Sequence, residues 1–215
     1  MAKWMFLDCA WETAVVAVGN GCTILGQRQW ASRLAAESCT LEIDRLLVDA
    51  GVRHRDLDGL AWASGPGSFT GLKVVAATIQ ALAWVWGKPV ASIPHLAALA
   101  YSCRDQRSAC VVACRGGPQG RFFWCPYEIR DGQWPEGKVR VAPPDAIRLP
   151  IGCWLGVGDD PRLGGRAGIE GHLSGWVHEP ESPVLSALAL AELAMETGRL
   201  ERPEKVQPLY VGHLV

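Results

Sequence analysis

The stretch Gly65-Pro66-Gly67-Ser68-Phe69-Thr70-Gly71-Leu72-Lys73 constrains this chain more than any other. It lies between an apolar run at 57–63 and a segment at 74–86 that carries no charge. Two glycines around a proline make a tight turn that a residue with a Cβ resists. Ser68 then offers a hydroxyl to cap a helix, and the apolar segment continues it. The unit reads strand, glycine turn, helix. Two readings fit the turn. Its backbone N–H groups converge on an anion or on a partner's polar group, or it is a βα connection that needs glycine only to turn.

The flanking pattern predicts strands at 4–8, 14–18 and 22–30, with Gly19-Asn20-Gly21 as a hairpin turn. Ile43, Leu46, Leu47 and Ala50 recur at helical spacing and predict a helix over 37–50 that Gly51 ends. A strand at 57–63, the helix at 68–86, a strand at 90–93 and a short helix at 94–103 follow. After the polar stretch 104–108 a second set begins: strands at 109–114, 121–127 and about 138–141, a helical turn at 143–148 and a strand at 153–157. A helix at 183–197 and a segment at 206–211 close the chain. The first half reads βββαβαβα and the second, as a worn echo of that type, three strands and then αβα, which predicts an α/β architecture with a mixed sheet in each half. The expected domains are 1–104 and 105–215.

The helix at 68–86 carries Leu72, Val74, Val75, Ile79, Leu82, Trp84, Val85 and Trp86 around its whole circumference. A helix apolar all round is buried all round, in the core or against another chain. A helix on a sheet in a lobe of this size keeps an outer side, which favours a partner interface over burial within the monomer.

Composition excludes several classes. With 215 residues and 49% hydrophobic content a sizeable core is available. The formal charge of −1 and scattered Lys and Arg argue against a free-standing electrostatic binder of nucleic acid. The apolar run 74–86 is interrupted by Thr78 and Gln80 and stops at Gly87-Lys88-Pro89, short of a membrane span. The first residues run directly into a strand pattern, so a cytoplasmic location is expected. The eight cysteines contain no CxxC, and the five histidines no HxxxH or HExxH, so no metal site is built from local motifs.

Other motifs also fail. Thr70 stands where a P-loop needs its second glycine, Gly71 comes one residue late for GxGxxG, and no GxSxG occurs. Asp8 at a strand end, and Asp159 and Asp160 after another, have the chemistry to hold Mg²⁺ or act as a base; the alternative for each is capping. The loop after Asp8, Cys9-Ala10-Trp11-Glu12-Thr13, is bulky and has one hydroxyl, a poor cradle for a triphosphate.

Four features resemble the TsaB (YeaZ) family of tRNA threonylcarbamoyladenosine biosynthesis proteins. They are Leu7 to Ala10, the Leu57-Asp58 pair, the GPGSFTGLK block and the region from Pro89-Val90 to Leu96-Ala97-Ala98-Leu99-Ala100. The likeness covers the whole chain, and GPGSFTG is its specific part. It continues through Gly156-Val157-Gly158-Asp159, Glu179-Pro180 and Pro208-Leu209-Tyr210-Val211. The resemblance implies a two-lobed actin-like, Hsp70-like (ASKHA) fold and a mainly non-catalytic scaffold. The main partner it implies is a TsaD-type paralogue, which transfers the threonylcarbamoyl group to adenosine beside the anticodon. A TsaE-type ATPase joins the two, and tRNA is met only through the complex. The chain alone is expected to bind no cofactor, ATP and Mg²⁺ belonging to the complex, and to form a homodimer in isolation, with no membrane. The second half departs from the family pattern at Ala113-Cys114-Arg115, Arg121-Phe122-Phe123 and Tyr210-Val211-Gly212. The first-lobe helices match best and are expected to carry the pairing.

The leading expectation is therefore a scaffold whose partner interface is made by Leu41, Arg45, Leu47, Leu72, Val75, Ile79 and Leu82, beside the loop Gly65, Pro66, Gly67, Ser68, Phe69, Thr70 and Gly71. On this reading Val75→Glu or Ile79→Glu abolishes pairing and leaves the monomer folded. The rival is an ASKHA-type phosphotransferase or ATPase that binds a nucleotide with Asp8, Asp159 and Mg²⁺. A peptidase is a third reading, and the missing zinc motif and nucleophile elbow count against it.

Overall fold

A computed structural model describes residues 1–106, 109–159, 173–178 and 183–211. Strands β1 (Trp4–Asp8), β2 (Thr13–Gly19) and β3 (Ile24–Ala31) form the opening meander. Asn20 shapes the β2–β3 turn: its side-chain oxygen accepts from the amides of Cys22 and Thr23, each at 2.9 Å. Helix α1 (Ala35–Asp49) follows, and Gly51, at φ 63°, supplies the left-handed residue that lets the chain leave it. Strand β4 (Gly59–Gly65), helix α2 (Phe69–Trp86) and strand β5 (Val90–Pro94) complete the first set. β1 pairs antiparallel with β2 and parallel with β4, giving the order β3-β2-β1-β4-β5.

The second set contains α3 (His95–Tyr101), β6 (Cys110–Gly116), β7 (Phe122–Glu128), β8 (Arg140–Ala142), β9 (Trp154–Gly158) and β10 (Leu173–His178). Its sheet runs β8-β7-β6-β9-β10. The pairing senses repeat those of the first: two antiparallel pairings, then two parallel ones. The echo of element order in the sequence is thus a repeated sheet topology, and the expected α/β architecture with a mixed sheet in each half is present. β10 was not anticipated, because no turn signal or alternation isolates 173–178.

The chain divides into two compact units, but not at a single cut. One comprises Met1–His95 with Val184–Leu209, the other Leu96–Pro183 with the last residues. This differs from the expected 1–104 and 105–215. Helix α4 (Val184–Glu196), late in sequence, packs on β1, β4 and β5 of the first sheet. The segment behind it stays there too. Val90 and Glu201 exchange backbone hydrogen bonds of 3.0 and 2.8 Å, and the amide of Leu209 donates to the Ser64 carbonyl at 2.6 Å. Of the expected segment 206–211, residues 206–209 thus stay on the first unit, and 206–211 forms no strand.

In the first unit α1 and α2 lie on the same core as Met5, Leu7, Val16, Val18, Leu60 and Trp62. Every residue of β1 and β4 is buried, so the strands read as continuous apolar runs. Trp4 is accommodated because its parallel partner is Gly59, where any Cβ would strike the indole. The second unit has its own core around Val112, Cys114, Trp124, Ile147, Leu149 and Trp154, and there Gly156 makes room for its partner Trp176 in the same way.

Helix α2 is capped as predicted: the Ser68 hydroxyl accepts from the Gly71 amide at 3.3 Å, and Gly87 ends the helix at φ 64°. At 18 residues it is, by length and composition, long enough to cross a bilayer, in contrast to the expectation that no apolar run reaches that length. Its inner side instead packs on the sheet through Leu72, Val75, Ala76, Ile79 and Ala83.

That packing overturns three of the expected interface residues. Leu72, Val75 and Ile79 face the core, the last two at 0% exposure, because the 3–4 spacing that selects one face of a helix selects them for the sheet. Val75→Glu and Ile79→Glu place an unpaired carboxylate in that core, at a cost on the order of 3–5 kcal/mol. Each variant is expected to lose cooperative thermal unfolding by circular dichroism, in contrast to a folded monomer that only fails to pair.

Candidate functional site

The glycine loop is built by close approach of backbone to backbone. β4 ends in the cis Gly65–Pro66 bond, and Gly65 adopts φ 122° with the Leu209 carbonyl beside it. A Cβ on Gly67 would come within 2.6 Å of the Ala10 carbonyl oxygen, and one on Gly71 would collide with the carbonyl of Cys9. The Ser68 amide donates to the Ala10 carbonyl at 2.7 Å. The loop is therefore seated on the turn between β1 and β2, and the amides of Ser68 and Gly71 are already used within the chain. This favours the connection reading over the anion reading. Phe69 and Thr70 remain at the surface, with the Lys73 ammonium 4.2 Å from the Phe69 ring centre.

Asp8 lies under this loop. One carboxylate oxygen accepts from the Ala10 amide at 2.8 Å, and the other is 3.2 Å from Nδ1 of His95. Asp8 is 1% exposed and His95 2%, and the Trp11 ring lies tilted against the imidazole at 5.3 Å. The capping alternative holds for Asp8: it clamps its own turn and ties it to the start of α3. His95 was missed because nothing local marks a histidine 87 residues away as the partner. Asp159, in the second unit, accepts from the Gly116 amide at 3.2 Å and lies 3.6 Å from Arg115. Each aspartate is thus engaged within its own unit. Asp160, Glu179, Pro180 and Gly212 lie outside the described residues.

Beside Asp8 the thiols of Cys9 and Cys39 are both buried and act on one another: the Cys39 thiol, with burial adding to the effect, raises the Cys9 thiol strongly, and Cys39 is lowered by its neighbour Cys9. Burial likewise raises Cys114 and Cys125. The eight cysteines are all free.

The expected interface residues do not share one surface. Leu41 and Arg45 are exposed on α1, Arg45 bonded to Glu42 at 2.7 Å. Leu47 and Leu82 are half-buried against the core, Val75 and Ile79 are inside it, and Leu72 is buried. What α1 and α2 turn outward is Leu41 and Val48 on the first and Lys73, Ala77, Ala81, Trp84 and Val85 on the second. Val48, Trp84 and Val85 are 72, 66 and 80% exposed. The apolar outward end is legible in hindsight from the phase of the buried positions.

A family model for tRNA N6-adenosine threonylcarbamoyltransferase, TsaD, matches residues 28–136, half of the chain. The chain is 26% identical to the tRNA threonylcarbamoyladenosine biosynthesis protein TsaB of Escherichia coli K12 over 174 residues, 76% of this chain and 75% of that one. It is 33% identical to a tRNA N6-adenosine threonylcarbamoyltransferase of Erythrobacter litoralis over 109 residues, 43% of this chain but 32% of that enzyme. The chain thus spans about a third of that relative's length. Among solved structures, a Pseudomonas aeruginosa protein described as similar to the peptidase YeaZ superposes with a TM-score of 0.81 at 26% identity, over 99% of this chain and 100% of that one. These likenesses fit a two-lobed, actin-like α/β fold.

Two outcomes follow from the loop and the thiols. Gly71→Ala forces the Cys9 carbonyl aside and is expected to cost about 1–3 kcal/mol, read as a lower urea midpoint; an unchanged midpoint would mean that the close approach is absent. In native protein at neutral pH a thiol reagent is expected to label Cys22 and Cys153 rapidly, and Cys9, Cys39, Cys114 and Cys125 only after unfolding.

Proposed function

Because the chain belongs to the TsaB/YeaZ family, we propose that it serves tRNA threonylcarbamoyladenosine biosynthesis as a non-catalytic subunit that pairs with a TsaD-type protein through α1 and α2. The observation that carries this reading is the outward apolar end of those helices, where Val48, Trp84 and Val85 are exposed together with small Ala77 and Ala81. Large apolar side chains held in water on two adjacent helices mark a surface meant to be covered. A second helix pair laid on it would bury about 800 Å² per partner, the ordinary size of a stable interface.

The end of β1 supports a scaffold rather than a phosphotransferase. Both Asp8 oxygens are committed to Ala10 and His95, and the glycine loop is filled by Cys9 and Ala10. In this reading ATP, Mg²⁺, tRNA and a TsaE-type ATPase are met by the complex, and without the partner α1 and α2 cover one another between two copies.

Light scattering on a sizing column, with the chain alone and then mixed with the TsaD-type protein of the same source, tests it. A self-dimer giving way to a one-to-one complex is expected. Trp84→Glu and Val85→Glu, both at exposed positions, should weaken pairing at least tenfold while thermal unfolding stays that of the parent. A parent that ignores the TsaD-type protein would end this reading.

A further inference from the structure

A groove of about 500 Å³ opens where α1 ends, lined by Asp44, Leu47, Val48, Gly51, Val52, Arg53, His54 and Arg55. Its chemistry is two-sided. The helix contributes Asp44, and the turn after it contributes Arg53 and Arg55. Between them lie half-buried Leu47 and buried Val52, with Val48 exposed. The turn is fixed in place. The His54 ring stacks on Trp86, the last residue of α2, at 5.4 Å and 24°, and the Lys88 ammonium donates to the Arg55 carbonyl at 3.3 Å. Gly51 at φ 63° has open space where a Cβ would stand, so the mouth beside it is clear.

The ion pairs around the groove show which charges are spent. Arg28 holds Glu42 at 2.6 Å and Asp49 at 2.8 Å, and Arg45 also holds Glu42. Asp56 grips Arg53 with both oxygens, at 2.7 and 2.8 Å, and that pairing pulls the Asp56 carboxyl down to about 2. Among the described residues no ion pair holds Asp44 or Arg55. An acid on α1 and a base on the turn after it, both outside any ion pair though Arg55 also acts on the neighbouring Asp56 carboxylate, thus line one groove with apolar Leu47 and Val52, next to the outward side that Val48 shares.

Resting on the scaffold reading, we infer that this groove is an orientation key for the protein partner. It accepts a segment of the TsaD-type protein that sets an apolar side chain on Leu47 and Val52, a basic residue towards Asp44 and an acidic residue towards Arg55. Charges of opposite sign on two successive elements, the helix and the turn after it, favour one direction of docking and penalise the reverse, which is how interfacial charge contributes specificity. Continuity with the outward side of α1 through Val48 places the groove at the rim of the same interface. RNA suits it less: a phosphate backbone wants cations alone, and Asp44, Asp49 and Asp56 stand in or beside the groove.

The test is a charge swap read by calorimetric titration with the TsaD-type protein. Asp44→Arg and Arg55→Glu are each expected to weaken pairing at least tenfold. The double variant D44R/R55E keeps the formal charge at −1 but reverses the order of charges, and it is expected to stay as weak as the single variants. Single variants that pair like the parent overturn the inference, and so does a swap that restores parental affinity, since only net charge would then matter. Arg55→Glu that lowers tRNA binding by the chain alone, with pairing intact, also overturns it in favour of an RNA contact. If Val85→Glu breaks pairing and the groove variants do not, the scaffold reading stands and the key falls. If the parent does not pair, both fall.

Discussion

The seating of the glycine loop on the β1–β2 turn is the constraint on which the first unit depends. Backbone can meet backbone at Gly67 and Gly71 only because no Cβ intervenes, and the bond from the Ser68 amide to the Ala10 carbonyl locks the contact. That contact fixes where α2 starts and, through the Ser68 cap, the phase in which it runs. Once the phase is set, Leu72, Val75, Ile79 and Ala83 fall on the sheet, and Lys73, Ala77, Ala81 and Trp84 fall outward. The same loop receives the end of the chain, since Gly65 leaves room for the Leu209 carbonyl and Ser64 accepts the Leu209 amide. The loop is thus a structural joint between β4, α2 and the β1–β2 turn.

The two sheets share one topology but differ in how they are completed. The first is covered by α1 and α2 and also by α4, which returns from the far end of the sequence to pack on β1, β4 and β5. The return couples the chain's end to its beginning. Val206 joins the core, Gln80 donates to its carbonyl at 3.1 Å, and Glu201 bridges to Val90. Trp62 donates to Ser92 and Ser92 to Glu201, each at 2.9 Å, so the polar groups that this strap buries are joined in a chain. Burial raises the Glu201 carboxyl, with the Ser92 hydroxyl opposing the shift.

The candidate site was legible in part. GPGSFTG marked the joint, Ser68 its cap and Gly87 the helix end, because each is a local demand on a single residue. Helices α1 and α2 were also visible as elements. Their outward faces were not: α2 is apolar all round, so periodicity alone left several phases open, and only contact with the sheet chose between them. His95 against Asp8, and Asp44 and Arg55 in one groove, needed the fold because their neighbours are distant in sequence or chosen by what other side chains leave unpaired.

By itself the sequence determined the elements apart from β10, the echo of strand and helix order between the halves and the family, since strand patterns, glycine turns and a motif of seven residues are written locally. The tertiary structure decided that the late helix α4 belongs to the first unit, that Leu72, Val75 and Ile79 are core, and that Val48, Trp84 and Val85 are surface. The physical reason is that burial is a property of what packs opposite a side chain. An apolar residue has the same affinity for a sheet of its own chain as for another protein, and the geometry of the joint at Gly71 settles which of them it meets.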